Sequence, residues 1–474
     1  MKKIYSVLLI SLSLFLCNTT AINAQSTSTS NADWREVNAY SIGIQAYLYA
    51  FPAVYMSYLR HDWITNPNSN FYMAFNQLHL KNELSSPKNN IVGITPNFDT
   101  QSVWAWLDLT KEPVILSVPD MGSRYYAFQI ADFYSDNFAN IGKLSTGSRA
   151  GNFAILPPDW EGTLPDNIKE SFRSRTPYAL LYGRTMSTLE EEKRVASLQR
   201  QYKLTTLSNF GKRNGISAKN NEIWAPFDTK QDPMGEWKTI NQAMTENPPS
   251  EVDSEIIKMM ASVGIGPNQP TDFEDMHPSV RKGLERALVD AKKMLRPMAT
   301  DNAGTGKKVN GWMFPPSFAG RAGLEQEFAY RAAVQSYSNI MYNEPKEAVF
   351  MIANTTEDGK KLNGSNNYTI RFARGQEPLA EFWSITLYNT RHSFVANPSK
   401  KYAVGNKIKG FKRNSDGTID IHIQRKSPGK AKEGNWLPAP EGDFYLILRA
   451  YAPRKAILEQ TWSPPPVKTV RAKK

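Results

Sequence analysis

The sequence predicts an α+β fold: two β-rich domains of sandwich or jelly-roll type, linked and flanked by helices. Three observations carry this reading. Short runs of branched and aromatic residues, separated by Pro, Gly and Asp, fill residues 91–153. Apolar residues at helical spacing dominate the middle of the chain. Strict alternation returns in the last third, where Ile419, Ile421 and Ile423 alternate with Asp420, His422 and Gln424. The order of these textures is helix, β unit, helices, β unit, and 474 residues are long enough for two or three domains with large cores.

The chain opens with the layout of a secretory signal peptide. Lys2 and Lys3 precede an apolar run from Ile4 to Leu16, and a polar stretch ends in Ala21-Ile22-Asn23-Ala24. Residues 1–24 are therefore expected to be cut off after Ala24, placing the protein in the periplasm or outside the cell. The run is shorter than the ~20 residues that a spanning helix needs, and no later stretch approaches that length without charges, so no membrane span is expected. Cys17, the only cysteine, lies in this segment behind the large Leu16, which argues against lipid attachment. Its removal leaves no thiol, which excludes disulfides, thiolate nucleophiles and cysteine metal ligands. Loss of Lys2 and Lys3 would also bring the formal charge from +12 to +10. The basic residues are spread along the chain, which fits a solvated surface better than a nucleic-acid interface.

Residues 25–32 are Ser/Thr/Asn-rich and read as a flexible leader. Asp33 followed by Glu36 forms a capping-box pattern, and Val37, Ile44, Leu48 and Phe51 fall on one helical face before Pro52 kinks or ends the helix. Ser102 to Leu107, Val114 to Val118 and Tyr125 to Ile130 read as antiparallel strands. Thr188 and Glu191 suggest a second capping box opening a helix over 188–209, and a third runs over 278–296 until Pro297. A further helix is expected at about 320–342. Residues 300–310, with Gly304, Gly306, Lys307 and Lys308, read as an exposed loop near a domain boundary, giving domains of 33–299 and 311–474. Phe444, Leu446 and Leu448 repeat the strand alternation.

Specific strings then become informative. Thr95-Pro96-Asn97-Phe98-Asp99-Thr100, Trp106 to Leu109, Val118-Pro119-Asp120, Arg124-Tyr125-Tyr126, Gln129 and Asp132-Phe133-Tyr134 resemble domain of unknown function 1254 of exported bacterial proteins. Asp358-Gly359, Leu362-Asn363-Gly364, Phe382 to Tyr388, Asn435 to Pro440 and Phe444-Tyr445-Leu446 are similar to its usual C-terminal companion, domain of unknown function 1214. The resemblance implies two β-rich domains with helices around them. It implies no activity and no catalytic residues.

Standard catalytic signatures are absent. There is no Gly-x-Ser-x-Gly elbow, and the Gly304 to Lys308 stretch lacks the glycine spacing and the hydroxyl of a phosphate loop. Ser427 and Lys430 match a short Ser-x-x-Lys pattern inside a Ser-Pro-Gly turn, where chance accounts for it. The five histidines, His61, His79, His277, His392 and His422, show no spacing for zinc, so no metal site is assigned and the cofactor stays unknown. His422 reads as a surface residue, and His392 follows a strand end where loops carry function.

The densest polar constellation is Asn97, Asp99, Arg124, Tyr126, Gln129, Asp132, Asp136 and Asn137. Asp132 and Asp136, with Asp99, are the candidate catalytic carboxylates, because paired acids can split their pKa values for acid and base work or hold a hard cation. The same residues could simply cap turns and pair with Arg124. Asn97, Arg124, Tyr126, Gln129, Tyr134, Asn137, Trp312 and His392 are the candidate ligand contacts. The aromatics Trp104, Trp106, Tyr125, Phe128, Phe133, Phe314 and Trp383 are mostly core, and a subset lining a groove suits a partly apolar ligand. Three function classes stay open: a binding protein for a small, partly apolar molecule, a hydrolase using paired aspartates with or without a metal, and an envelope interaction protein. A homo-oligomer is compatible with each.

Overall fold

The computed structural model describes residues 33–89, 95–212, 223–300, 306–337 and 340–470. The expected signal peptide, its cleavage site, the leader and Gly304 lie outside them. The chain begins with helix α1 (Trp34–Thr65). Nine strands follow: β1 (His79–Leu80), β2 (Thr100–Asp108), β3 (Val114–Val118), β4 (Tyr126–Asp132), β5 (Asn137–Gly142), β6 (Gly151–Leu156), β7 (Ile168–Arg173), β8 (Tyr178–Met186) and, after helix α2 (Glu192–Gln199), β9 (Lys203–Thr206). Helices α3 (Gly235–Glu246), α4 (Ser254–Ala261) and α5 (Pro278–Thr300) complete the first half. The second half holds β10 (Lys308–Val309), β11 (Trp312–Met313), helix α6 (Phe328–Tyr337), β12 (Ala348–Ala353), β13 (Tyr368–Phe372), β14 (Ala380–Asn389), β15 (Ala403–Gly405), β16 (Ile419–Gln424), β17 (Trp436–Pro438), β18 (Phe444–Pro453), helix α7 (Lys455–Leu458) and β19 (Lys468–Thr469).

The strands form two sandwiches. In the first, a sheet ordered β1-β2-β8-β4-β5 faces one ordered β7-β6-β3-β9. Val103, Ala105 and Leu107 of β2, Phe128 and Ile130 of β4, and Val114 and Leu116 of β3 fill the space between them. In the second, β10-β11-β12-β18-β14-β15 faces β17-β16-β13-β19. Met351, Ile385, Leu446 and Leu448 meet Ile370, Ile419, Ile421 and Ile423 there. The alternation read from the sequence is the physical cause, since side chains i and i+2 of a strand share one face.

A third core is helical. Positions 46–50 of α1 are buried without interruption, so this helix runs through the middle of its neighbours rather than lying on a surface. The expected face was therefore wrong in part: Val37 is exposed, while Ala39, Gly43, Ala46 and Ala50 are buried. α1 and α5 cross closely, because a Cβ on Gly283 would stand 2.4 Å from the Glu36 carbonyl oxygen. Pro52 lies inside α1 without ending it. Asp33 does cap α1, accepting from the Arg35 backbone N–H at 3.0 Å. Glu36 does not close the box; it reaches α5 instead, at 2.5 Å from Arg286 and 2.9 Å from Lys282.

Other expectations shift for similar reasons. The helix expected over 188–209 is only α2, and its tail becomes β9, because Leu204 joins the first sandwich core. α5 continues through Pro297 to Thr300. The helix expected at 320–342 is the shorter α6, and residues 308–309, expected in a loop, pair with β11. α6 packs on α1 and α5, whereas β11 just before it belongs to the second sandwich. The chain thus crosses between the two halves twice between residues 311 and 348.

The outer faces of the two larger sheets meet. Tyr125 and Ala127 pack on Phe382 and Tyr451, and Phe98 packs with Phe394 and Tyr402. The Thr95–Thr100 segment straps the halves together: Tyr388 donates to the Pro96 carbonyl at 2.6 Å, and Ser384 donates to Asp99 Oδ2 at 2.8 Å.

Candidate functional site

A cavity of about 480 Å³ lies where the two outer sheet faces diverge, closed on the side by α6 and the end of α5. Strand parity builds it. On β2 and β8 the residues that alternate with the sandwich core are Trp104, Tyr182 and Arg184. On β12 and β18 they are Phe350, Ile352, Tyr445, Ile447 and Arg449. Trp104 and Tyr182 are cross-strand partners and stack at 3.8 Å between ring centroids. Arg184 continues this stack, with its guanidinium 3.9 Å from the Tyr182 ring centroid. α6 contributes Tyr330, Ala333, Val334 and Tyr337. The exposed side chains Arg296, Thr300, Asn354, Lys361 and Thr390 mark the mouth.

The walls are aromatic and aliphatic, and the charges among them have one dominant sign. Among the described residues Arg184, Arg296, Lys361 and Arg449 line the cavity against a single acid, Asp443. Arg449 is 2 % exposed and donates Nη1 to Thr386 Oγ1 at 3.0 Å. Its Nε has no partner among the described residues. Arg184 is 5 % exposed and donates Nη1 to Gln129 Oε1 at 2.7 Å.

His392 stands at the wall with a positive φ of 58°, a backbone strain that places its ring against Tyr337 and Tyr445. Its Nδ1 lies 2.8 Å from the Tyr445 hydroxyl. Burial, and then the charge of Arg296, hold the imidazole below its ordinary pKa. Among the described residues no three His, Cys, Asp or Glu side chains converge as metal ligands.

Of the residues singled out from sequence, Asn97 and His392 line this cavity, as do Trp104 and Phe314 from the set of aromatics. Gln129 and Asn137 stand directly behind its wall. Gln129 holds Arg184, and both amides donate to the Tyr342 carbonyl, at 2.7 Å and 2.8 Å. The others are placed elsewhere. Arg124 pairs with Glu191 at 2.8 Å rather than with an aspartate. Tyr126 donates to the Gly147 carbonyl from the first sandwich core, and Tyr134 donates to the Asn247 carbonyl from the helical core. Trp312 sits in the second sandwich with its indole N–H on Pro465.

Asp132 and Asp136 do come together, but as a structural clamp. Asp132 Oδ1 accepts the backbone N–H groups of Tyr134 and Asp136, and its Oδ2 meets Arg175. Asp136 Oδ1 accepts from Gly323 N–H at 2.8 Å, and Oδ2 pairs with Arg331 at 2.6 Å. Every carboxylate oxygen is occupied, and the adjoining void of 30 Å³ holds no more than about a water or two. Burial pushes the Asp132 carboxyl up against the pull of Arg175, but a perturbed acid without room for a substrate has nothing to act on. The acid–base pair expected from the spacing is thus replaced by ion pairs that fasten the β4–β5 turn to α6.

Asp99 belongs to neither the clamp nor the cavity surface. It is buried between the sandwiches, where Ser384 and Tyr451 donate to it at 2.8 Å and 3.3 Å. Burial raises its pKa, against the opposing pull of Arg449. An acid whose native pKa lies above its unfolded one loses stability as pH rises past the ordinary carboxylate range, since the unfolded chain releases its proton first. Asp99→Asn cannot ionise. The stability of this variant relative to the parent should therefore climb as pH rises above the ordinary carboxylate pKa of about 4, and level off once the native Asp99 has ionised. Denaturant titrations at several pH values would show it, and a flat difference would mean that Asp99 ionises freely.

The sequence reading missed Arg184, Arg449, Tyr182 and Tyr445. A signal was present: Arg449 interrupts the otherwise apolar strand Phe444 to Ala452, and Arg184 closes one from Tyr178. A charged residue in such a run must be paired or must face a site.

Comparison with known proteins finds the family models DUF1254, protein of unknown function, at residues 75–206 and DUF1214, protein of unknown function, at residues 347–455. No curated protein matches. Among solved structures, the crystal structure of the VPA0106 protein from Vibrio parahaemolyticus matches with a TM-score of 0.70 and 23% identity, covering 91% of this chain and 100% of that one. That likeness shows the fold. A putative uncharacterized protein from Burkholderia cenocepacia matches with a TM-score of 0.42 and 12% identity over 92% of this chain and 94% of its own. The strap, the two clamp aspartates and the first sandwich fall in the first matched segment, and Arg449 with the cavity's opposite wall falls in the second. The chain belongs to the proteins that join DUF1254 to DUF1214.

Proposed function

We propose that this protein binds a small, partly apolar molecule in the cavity between its two sandwiches, and that it does so as an exported protein freed of residues 1–24. The observation that carries the binding reading is the cavity itself. At about 480 Å³ it has the size of a small-molecule site, with aromatic and aliphatic walls and few polar groups. The paired aspartates that hydrolysis was expected to use do not line it, so binding accounts for it better than hydrolysis by such a pair. The export reading rests on the signal-like N-terminus.

One experiment addresses both. The protein is purified from its native host and weighed intact under native and denaturing conditions. The expected denatured mass corresponds to a chain starting after Ala24, and the native mass exceeds it by that of a bound molecule. Val334→Trp, which projects an indole into the cavity, should carry none. Equal native and denatured masses for the parent, with nothing released on denaturation, would sink the binding reading. A retained N-terminus would sink export.

A further inference from the structure

Four arginines are buried among the described residues: Arg60, Arg184, Arg331 and Arg449. Two are neutralised, Arg60 by Glu246 at 2.7 Å and Arg331 by Asp136 at 2.6 Å. The other two form no ion pair among the described residues, and both line the cavity. A buried guanidinium without a counter-ion is strongly unfavourable, so two unpaired ones lining one cavity call for an explanation.

Taking the binding reading as its basis, we propose that the cavity's ligand is an organic acid: an apolar chain or ring against the aromatic walls, and a carboxylate held between Arg184 and Arg449. Arg449 lines the same cavity with no carboxylate within ion-pair distance among the described residues, and a guanidinium can grip a carboxylate in two parallel bonds. Arg184 is fixed for the task by Gln129 on one side and the Tyr182 ring on the other. Donors fixed in advance lose little freedom on binding. Arg296 and Lys361 at the mouth add a field of the same sign that draws an anion in.

The acids nearest the two arginines do not cancel this charge. Asp99 is the carboxyl that pulls on Arg449, and Glu347 the one that feels Arg184. Neither lies within ion-pair distance, and burial raises the pKa of both toward the neutral form. Glu347 is further engaged by the Tyr125 hydroxyl at 2.6 Å. Among the described residues Asp443 is the only carboxylate on the cavity surface itself, and it accepts from Asn363 at 2.7 Å.

The test compares straight-chain carboxylates, hexanoate to tetradecanoate, with the alcohols of matching length, by calorimetry and by thermal stabilisation of the purified protein. The best acid is expected to bind about 10- to 100-fold more tightly than its alcohol, the worth of charge-assisted bonds from two arginines. Arg184→Met and Arg449→Met should each erase most of that preference while leaving alcohol binding in place. Equal binding of acid and alcohol by the parent would overturn the organic-acid assignment and leave the cavity as an apolar site. No binding by either series would overturn both readings. An acid preference that survives both substitutions would overturn the role of the two arginines. If Arg449→Met fails to fold, the parent comparison and Arg184→Met decide the matter.

Discussion

Asp136→Ala will destabilise the protein by about 3–5 kcal/mol, because it strips one partner from a buried ion pair. Arg331 would be left with its charge in the helical core, only 8 % exposed, and with one remaining strong bond, to the Tyr49 carbonyl at 2.8 Å. The Gly323 N–H would lose its acceptor as well. Urea denaturation followed by tryptophan fluorescence measures the loss. The double variant Asp136→Ala with Arg331→Met should recover part of it, since the stranded charge goes too. A single-variant loss below about 1 kcal/mol, the worth of an exposed pair, would show that the clamp is not structural.

Trp237→Ala is expected to lower stability by a similar 3–5 kcal/mol. Trp237 is fully buried where α3 packs on α1 and α5, edge-on to Tyr47 at 6.0 Å, and its indole N–H donates to the Leu284 carbonyl at 3.1 Å. Removing the ring opens a cavity at the centre of the helical core. Trp237→Phe keeps most of the apolar volume and loses the hydrogen bond, so its deficit should be clearly smaller. Equal losses for the two variants would assign the effect to the N–H rather than to packing.

The contrast between these residues shows what could be read in advance. The strands were legible because each sandwich face imposes a period of two that no other local structure shares: Ile419, Ile421 and Ile423 all turn inward. α3 was not legible. Its sequence from Gly235 to Glu246 carries Thr, Asn and Gly, and it is helical because Trp237, Ile240 and Met244 complete a core supplied by α1 and α5. α1 gave a misleading face because it is surrounded, so burial around its middle follows its neighbours and not a stripe.

The polar set around Asp132 was legible as a cluster but not as a role. Asp132 and Asp136 share a turn in the sequence, yet Arg331, the partner of Asp136, lies 195 residues beyond it. The spacing of two acids says that they can meet. Whether they meet a substrate or a cation depends on what the far segment brings.

What the sequence determined by itself, then, was periodic and local: two β sandwiches among helices, the absence of thiols beyond Cys17, and strings characteristic of DUF1254 and DUF1214. What the tertiary structure alone decided was pairing at long range. It gave Asp136 its arginine and left Arg184 and Arg449 without an ion-pair partner among the described residues. It also placed the outer faces of two distant sheets around one cavity. The physical reason is that strand parity fixes which side chains leave a sandwich core, whereas only the packing of the second sandwich fixes what they face.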